Sequence, residues 1–526
     1  MFSLAILIGI YSYLIFELGL VGILYKDHIV LATFIFGLFI LYFYKKKIKS
    51  KLPQYSKVLK QMQKINVKSA KRNWLPIVAF SILVLQGIVN LIGALGPELG
   101  FDALWYHLTL PKIYLQNHAI FYIPGGLLYY STMPKLTEML YTVGLSFGSE
   151  IFAKLIHFSF GILTLIALYR LSRKFLSKTY SLLALVLFYS NLIVGWISIS
   201  AYIDLARTFF EIMALWGFVN WIEKKEKKWL IISAILLGLA ISTKLLALGS
   251  LLIFAILIVI FTRKINNILI YCFCALIIPL PWFIFSYIYT GNPVYPFFTS
   301  IYPVKFTLDL INPLSLSDPI SSLYVIFLPI TIFIYKKLKL SFKIISLYSF
   351  LAIIAWYLTP QTGGGRFILP YLPAFSLMTL VIINMIKRIA LRSIFIGLIV
   401  ALALFSIIYR GAANSRHIPV ILGRESKSQF LTKYLNFSFG DFYDTDGYFA
   451  DKIKKEDQVL LYGIHNLYYI NFPFIDSSYI KKGDVFNYIA VQGSNFPYRF
   501  RFWNLIYYND KTNIRLYSLG GLRWTY

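Results

Sequence analysis

Cysteine is almost missing from this 526-residue chain, and acidic charge is scarce. Only Cys272 and Cys274 occur, both inside one apolar run, so neither a disulfide framework nor a cysteine metal site is available. Both read as small buried core residues. Asp and Glu number 22 against 51 Lys and Arg, leaving a formal charge of +29, yet only 14% of residues are charged. A basic balance of that size ordinarily points to nucleic acid or an anionic surface. Here 58% of residues are hydrophobic, 45 Phe and 40 Tyr are present, and mean hydropathy is +0.69. That composition excludes a soluble DNA-binding domain, and collagen-like, disordered and disulfide-scaffold classes with it. No internal repeat is evident, which disfavours secondary transporters built from related halves.

What is present is a series of apolar stretches, matched to a hydrocarbon core about 30 Å thick that takes about 20 residues to cross. They fall near 3–25, 29–44, 74–96, 150–169, 179–199, 203–222, 229–243, 245–262, 268–289, 320–335, 344–358, 367–386 and 393–409. The reading is an all-α polytopic membrane bundle of about thirteen transmembrane helices. The first stretch lacks a basic leader and a small-residue cleavage site, so it reads as an anchor.

Lys and Arg stay on the cytoplasmic side of short loops, and here they alternate. Segment 45–73 holds eleven of them and no acid; with 170–178, 223–228, 263–264, 336–343 and 387–392 it accounts for 28 of the 51. The opposite connections include 97–149, 290–319 and 359–366, and they are poor in basic residues. The N-terminus is expected inside and the C-terminal tail outside. This parity requires 229–262 to be two spans, since one helix of that length would be about 51 Å long. The break falls at Ser242-Thr243-Lys244.

Four segments follow: an N-terminal helix pair (1–44), a basic cytoplasmic segment (45–73), a membrane domain (74–409, first outer loop 97–149) and an extracytoplasmic C-terminal domain (410–526). The last has 15 basic and 10 acidic residues, a helix expected near 425–436 and strands at 458–464, 486–493 and 514–520, which makes it a small α/β domain. The aromatic segment 500–508 reads as core packing before it reads as a sugar-stacking surface.

An ionisable group beside the apolar region is costly and is therefore a site candidate. In the first outer loop Asp102, Tyr106 and His107 lie close together, and 103–115 reads as an amphipathic helix along the interface. Asp102 is either a helix cap or a general base; His107 is either an interfacial side chain or a substrate contact. Asp204, Arg207 and Glu211 share one helical face; the last two read as a self-neutralising pair, leaving Asp204 free to face the same space as Asp102. Two such carboxylates would hold a divalent cation (Mg or Mn) or divide acid and base roles. Lys244, at the deduced turn, and Arg366, after three glycines, are cations suited to a lipid-linked phosphate at the membrane surface; the plainer reading of Arg366 is snorkelling.

Taken in order, FDALWYHLTLPKIYL, PKLTEMLY, AYIDLA, STKLLAL, GNPVYPF and GGGRFILPYLP resemble the GT-C superfamily of integral-membrane glycosyltransferases, in its bacterial protein mannosyltransferase-like and aminoarabinose transferase-like branch. The resemblance covers about 74–386. It implies a helical membrane fold, a carboxylate in the first outer loop and a polyprenyl-phosphate-linked sugar donor. Asp102 matches that carboxylate, Lys244 and Arg366 match basic positions near the donor phosphate, and His107, Lys112, Glu138 and Asp204 match recurring polar positions. Many relatives have two adjacent acids in the loop; here Ala103 follows Asp102 and the nearest acid is Glu98. The 1–44 pair also looks additional to the usual core.

The implied activity is inverting sugar transfer to an envelope lipid, glycan or protein at the outer face of the cytoplasmic membrane, with Asp102 as base and no nucleic acid partner. A lipid-linked saccharide flippase and a non-catalytic assembly scaffold are the alternatives. A flippase needs polar groups near the midplane, whereas most here lie at helix ends.

Overall fold

The structure is a computed structural model that describes residues 1–63, 74–301, 320–358 and 361–526. Part of the basic 45–73 segment, most of the 290–319 connection and the start of 359–366 lie outside the described residues. Every apolar stretch named above falls on a helix or a broken pair of helices. Among the described residues, seven helices are long and apolar enough to cross a membrane, or eight if the pair Ile265–Leu276 and Leu280–Thr290, bent by 66° beside Pro279 and Pro281, is one span. Large apolar side chains stand exposed on the outer faces, Phe333 at 84% and Ile408 at 71% among them. In water such a surface would be prohibitive; in lipid it is the solvent contact. The protein is a multi-pass membrane protein.

The centre of the bundle is the helix Asp204–Lys224, buried along nearly its whole length. Its interior charges are satisfied within the fold. Arg207 Nε lies 3.1 Å from Glu211 Oε1, and Tyr371, Ser250 and Tyr348 complete the network. The 229–262 stretch breaks at Lys244, whose backbone is extended (φ −153°, ψ 122°) between Lys227–Thr243 and the turn Leu245–Ala247. At one end of the bundle the basic loops meet. Lys174 pairs with Glu223 at 2.6 Å, and Ser341 donates to the same carboxylate.

Three local expectations need correction. The second helix runs from Lys26 to Gln63, well past its apolar stretch. Cys272 and Cys274 are half-buried rather than core residues. The 103–115 helix is split into a wide π turn, Ala103–His107, and the helix Thr109–Asn117. Pro111 has no N–H to bond the His107 carbonyl, so regular α-helix cannot run through.

The first helix, Phe2–Leu20, is woven into the site's support: Tyr13 bonds Ser242 at 2.9 Å, and the Ile120 N–H donates to the Gly19 carbonyl at 2.8 Å.

The C-terminal domain holds β1 (Val459–Tyr462), β2 (Phe474–Asp476), β3 (Val485–Phe486), β4 (Tyr488–Gln492), β5 (Asn504–Asn509), β6 (Ile514–Ser518) and β7 (Trp524–Thr525). A five-stranded sheet has the order β2-β1-β4-β6-β5 and a two-stranded one pairs β3 with β7. β2, β1 and β4 are parallel, and β6 and β5 antiparallel. The helix Lys427–Tyr434 starts at a capping box, Ser426 with Gln429. Phe500 and Trp503 are buried in the domain's own core.

The domain is stitched to the first loop. Lys112 Nζ donates to the carbonyls of Tyr468 (2.7 Å) and Ile470 (2.5 Å) and to Asn471 Oδ1 (3.0 Å). The Leu127 N–H donates to Ser478 Oγ at 3.2 Å.

Candidate active site

Four segments distant in sequence converge where the first loop meets the bundle. The π turn brings Asp102, Tyr106 and His107; the Asp204–Lys224 helix brings Asp204 at its first residue; the chain break brings Lys244; the turn Gln361–Arg366 brings Arg366. A π turn widens the helix and re-aims its side chains, which is why such turns recur at functional sites. The chain enters this turn under tight control. Glu98, buried, accepts from the N–H groups of Leu99, Gly100 and Ala201 at 2.9, 2.7 and 2.6 Å. Glu98 therefore shapes the backbone beside Asp102 rather than joining it as a second acid.

Arg366 links the two aspartates. Its Nη1 lies 2.7 Å from Asp102 Oδ2 and its Nε 3.9 Å from Asp204 Oδ2, while Lys244 Nζ lies 2.7 Å from Asp204 Oδ1. Tyr106 donates to Asp102 at 3.2 Å. The two negative and two positive groups sum to zero, which is how a buried cluster of four charges is tolerated. The neighbouring carboxylates hold the Arg366 guanidinium well above the ordinary arginine range despite burial. Arg366 Nε and Asp204 Oδ2 are buried without a hydrogen bond. Donor and acceptor capacity is thus held unused in the middle of the cluster.

Asp102, Lys244 and Arg366 line a cavity of about 270 Å³ whose walls include Trp105, Tyr130, Leu246 and Phe367, with Asp204 buried against Lys244. Tyr106 stacks on Tyr130 at 3.5 Å and 7°. Lys244 lies over the Phe367 ring, and Arg366 over Tyr202, both within 5 Å of the centroid. Cations on aromatic faces keep their charge while losing water.

His107 and Glu138 line the same cavity as a buried pair, Nδ1 to Oε1 at 2.8 Å. This fixes one ring nitrogen and leaves Nε2 as the ring's other polar atom. Lys135, next to them, is spent on structure: its ammonium binds the carbonyls of Tyr130, Ser131 and Met133 at 2.5–2.8 Å.

Six of the seven residues named from sequence, Asp102, His107, Glu138, Asp204, Lys244 and Arg366, therefore gather in one place. Lys112 does not. It is the strap to the C-terminal domain described above, a contact made to residues 468–471 that no local pattern signals. Tyr106, close to Asp102 in the sequence, is its hydrogen-bond donor, whereas Tyr130, Tyr202 and Phe367 carry no sequence signal beyond Phe367 following Arg366 directly.

No curated protein sequence matches the chain. Residues 141–285 match the model of the dolichyl-phosphate-mannose-protein mannosyltransferase family. The fold is similar to that of ArnT from Cupriavidus metallidurans bound to undecaprenyl phosphate, 11% identical, covering 85% of this chain and 98% of that one with a TM-score of 0.54. The apo form of that protein gives 13% identity, the same coverage and a TM-score of 0.55. The archaeal oligosaccharyltransferase AglB from Archaeoglobus fulgidus, in complex with an inhibitory peptide and a dolichol-phosphate, aligns over 80% of this chain and 70% of its own at 12% identity and a TM-score of 0.45. The family-model match is confined to residues 141–285, and the likeness to ArnT, along nearly that protein's full length, shows a shared membrane fold.

Proposed function

We propose that the protein transfers a sugar from a polyprenyl-phosphate-linked donor to a hydroxyl of an envelope lipid, glycan or protein, at the extracytoplasmic face of the cytoplasmic membrane. The observation that carries this reading is the chain Asp102–Arg366–Asp204–Lys244, of which Asp102, Arg366 and Lys244 line a cavity at the end of a membrane bundle while Asp204 is buried between the two cations. A lipid phosphate meets its two cations there while its tail remains among apolar helices. The bound undecaprenyl phosphate of the structurally similar ArnT supports the assignment of donor class.

In the proposed reaction Asp102 takes the proton of the acceptor hydroxyl as that oxygen bonds the anomeric carbon. The bond from that carbon to the phosphate oxygen breaks on the opposite face, and polyprenyl phosphate leaves with the electron pair. The configuration inverts. Lys244 and Arg366 stabilise the charge that develops on the leaving phosphate, as cations already in place do best. Before the donor arrives, Arg366 is satisfied by Asp102. A donor phosphate that draws Arg366 away frees the Asp102 carboxylate to meet the acceptor hydroxyl, so the base is uncovered only when there is something to react with.

The donor set does not fit a resident divalent cation. Arg366 and Lys244 already neutralise Asp102 and Asp204, and a metal would have to displace the guanidinium. Among the described residues no group of three His, Cys, Asp or Glu is placed to hold a metal ion. We therefore read the reaction as one that runs on the protein's own cations.

The deciding experiment is Asp102→Asn with a labelled polyprenyl-phosphate sugar and extracted membrane lipid. Losing a positioned base lowers the rate by about 10²–10⁴-fold. Wild-type transfer by a folded Asp102→Asn protein would remove the central assignment. Label that changes leaflet without leaving its carrier would favour a flippase.

A further inference from the structure

A second cavity, about 620 Å³, lies in the seam between the C-terminal domain and the first loop. One of its walls is made by the carboxyl ends of all three parallel strands. Gly463, Ile464 and His465 follow β1; Ser477 and Ser478 follow β2; Gly493 follows β4. The chain leaves β1 towards β2 on one side and comes back to β4 on the other. In open α/β sheets the crevice at such a reversal is where ligands bind. The strand ends approach closely here: a side chain at Gly463 would meet the Gln492 carbonyl oxygen at 1.9 Å, and Gly463 itself has φ +73°.

The opposite wall belongs to the membrane domain: Phe101, Trp105, Gly126 and Leu127. Trp105 lines both cavities, so its indole is common to this cleft and to the space facing Asp102. The indole is held in position, its Nε1–H donating to the Leu127 carbonyl at 2.9 Å.

The lining chemistry is selective. In a protein with a formal charge of +29, no Lys or Arg is among the residues lining this cleft. Phosphates, nucleotides and acidic glycans are thereby disfavoured. Its polar groups are His465, Asp476 and the hydroxyls of Ser438, Ser477 and Ser478, set among the rings of Phe101, Trp105 and Phe439. Apolar faces with a few directed polar groups are the pattern of a small-molecule site, and flat rings beside hydroxyl-binding groups match the two sides of a pyranose.

We propose that this cleft binds an uncharged saccharide, the sugar portion of the acceptor, and presents its hydroxyl past Trp105 to Asp102. This rests on the transferase reading above and gives the acceptor a chemical class.

The test is direct binding, independent of turnover. Full-length protein in nanodiscs is titrated calorimetrically with mannotriose, chitotriose and maltotriose. At least one is expected to bind, with Gly126→Trp and Phe439→Ala each weakening it by about tenfold. A Cβ at Gly126 meets nothing within 4 Å, so the new side chain fills the cleft and the thermal unfolding midpoint should stay unchanged. Should Gly126→Trp nevertheless fail to fold, Phe439→Ala decides, because that ring is 67% exposed. No binding of any of the three, or unchanged affinity in the folded variants, overturns the cleft. Saccharide binding by a wild-type protein that never cleaves the donor overturns the transferase reading and leaves the cleft standing.

Discussion

Arg366 stands between Asp102 and Asp204, 2.7 Å from an oxygen of the first and 3.9 Å from an oxygen of the second. One guanidinium thereby touches the proposed base and, through Asp204, the second cation Lys244. Arg366→Lys keeps the charge but loses the planar fork, which reaches two partners at once. Both Arg366→Lys and Arg366→Ala should lower kcat/KM for the lipid-linked donor, the alanine variant by about 10²–10³-fold. Steady-state kinetics with labelled donor measure this; an Arg366→Ala protein with wild-type kinetics would detach the cation from the reaction.

Chelation should have no effect. Because Arg366 and Lys244 satisfy the aspartates, transfer in excess EDTA is expected to proceed at the untreated rate, and added magnesium or manganese should not raise it. A loss restored by either metal would show that a cation displaces Arg366 in the working enzyme.

Glu138 is expected to act through His107 rather than on substrate, since its Oε1 is bound to the imidazole Nδ1 at 2.8 Å. Glu138→Gln should lower kcat, because the imidazole loses the carboxylate that orients it. Glu138→Asp should recover part of the loss. A purely structural Glu138 would change the unfolding midpoint and leave kcat of the folded variant in place.

Lys112 gives a pH dependence of stability. Burial against the C-terminal domain pushes its amine down to about 8 from 10.5. Between those values the unfolded chain binds a proton that the folded protein has released, so stability rises with pH across that window and is flat below it. Lys112→Ala should remove this rise, as read from unfolding midpoints at pH 8 and pH 10. An unchanged slope in the variant would assign it to another group.

Legibility in the sequence followed how local each signal was. Helical spacing puts Asp204, Arg207 and Glu211 on one face, and the position of Asp204 at the helix end sets it apart from the inner pair; the turn at Lys244 follows from length and parity. The π turn at 103–107 was read as ordinary helix because its cause, Pro111, stands outside the segment whose side chains it re-aims. Lys112 matches a motif position, and its bonds to the C-terminal domain are illegible in the sequence because the partners are more than 350 residues away. β2 is three residues long and β5 carries a register shift, so neither has the period-two run that exposes a strand. Arg366 as a bridge between two acids needed three dimensions.

The stitch between Lys112 and residues 468–471 sets an order in time. β1, at the middle of the parallel strands, finds its β4 partner only after residue 492 has been made, and β6 closes the sheet only at Ser518. The loop bearing Asp102 is among the first parts of the membrane domain to be synthesised, yet its anchorage comes from nearly the last. A nascent chain therefore carries this loop before the segment that secures it has been made.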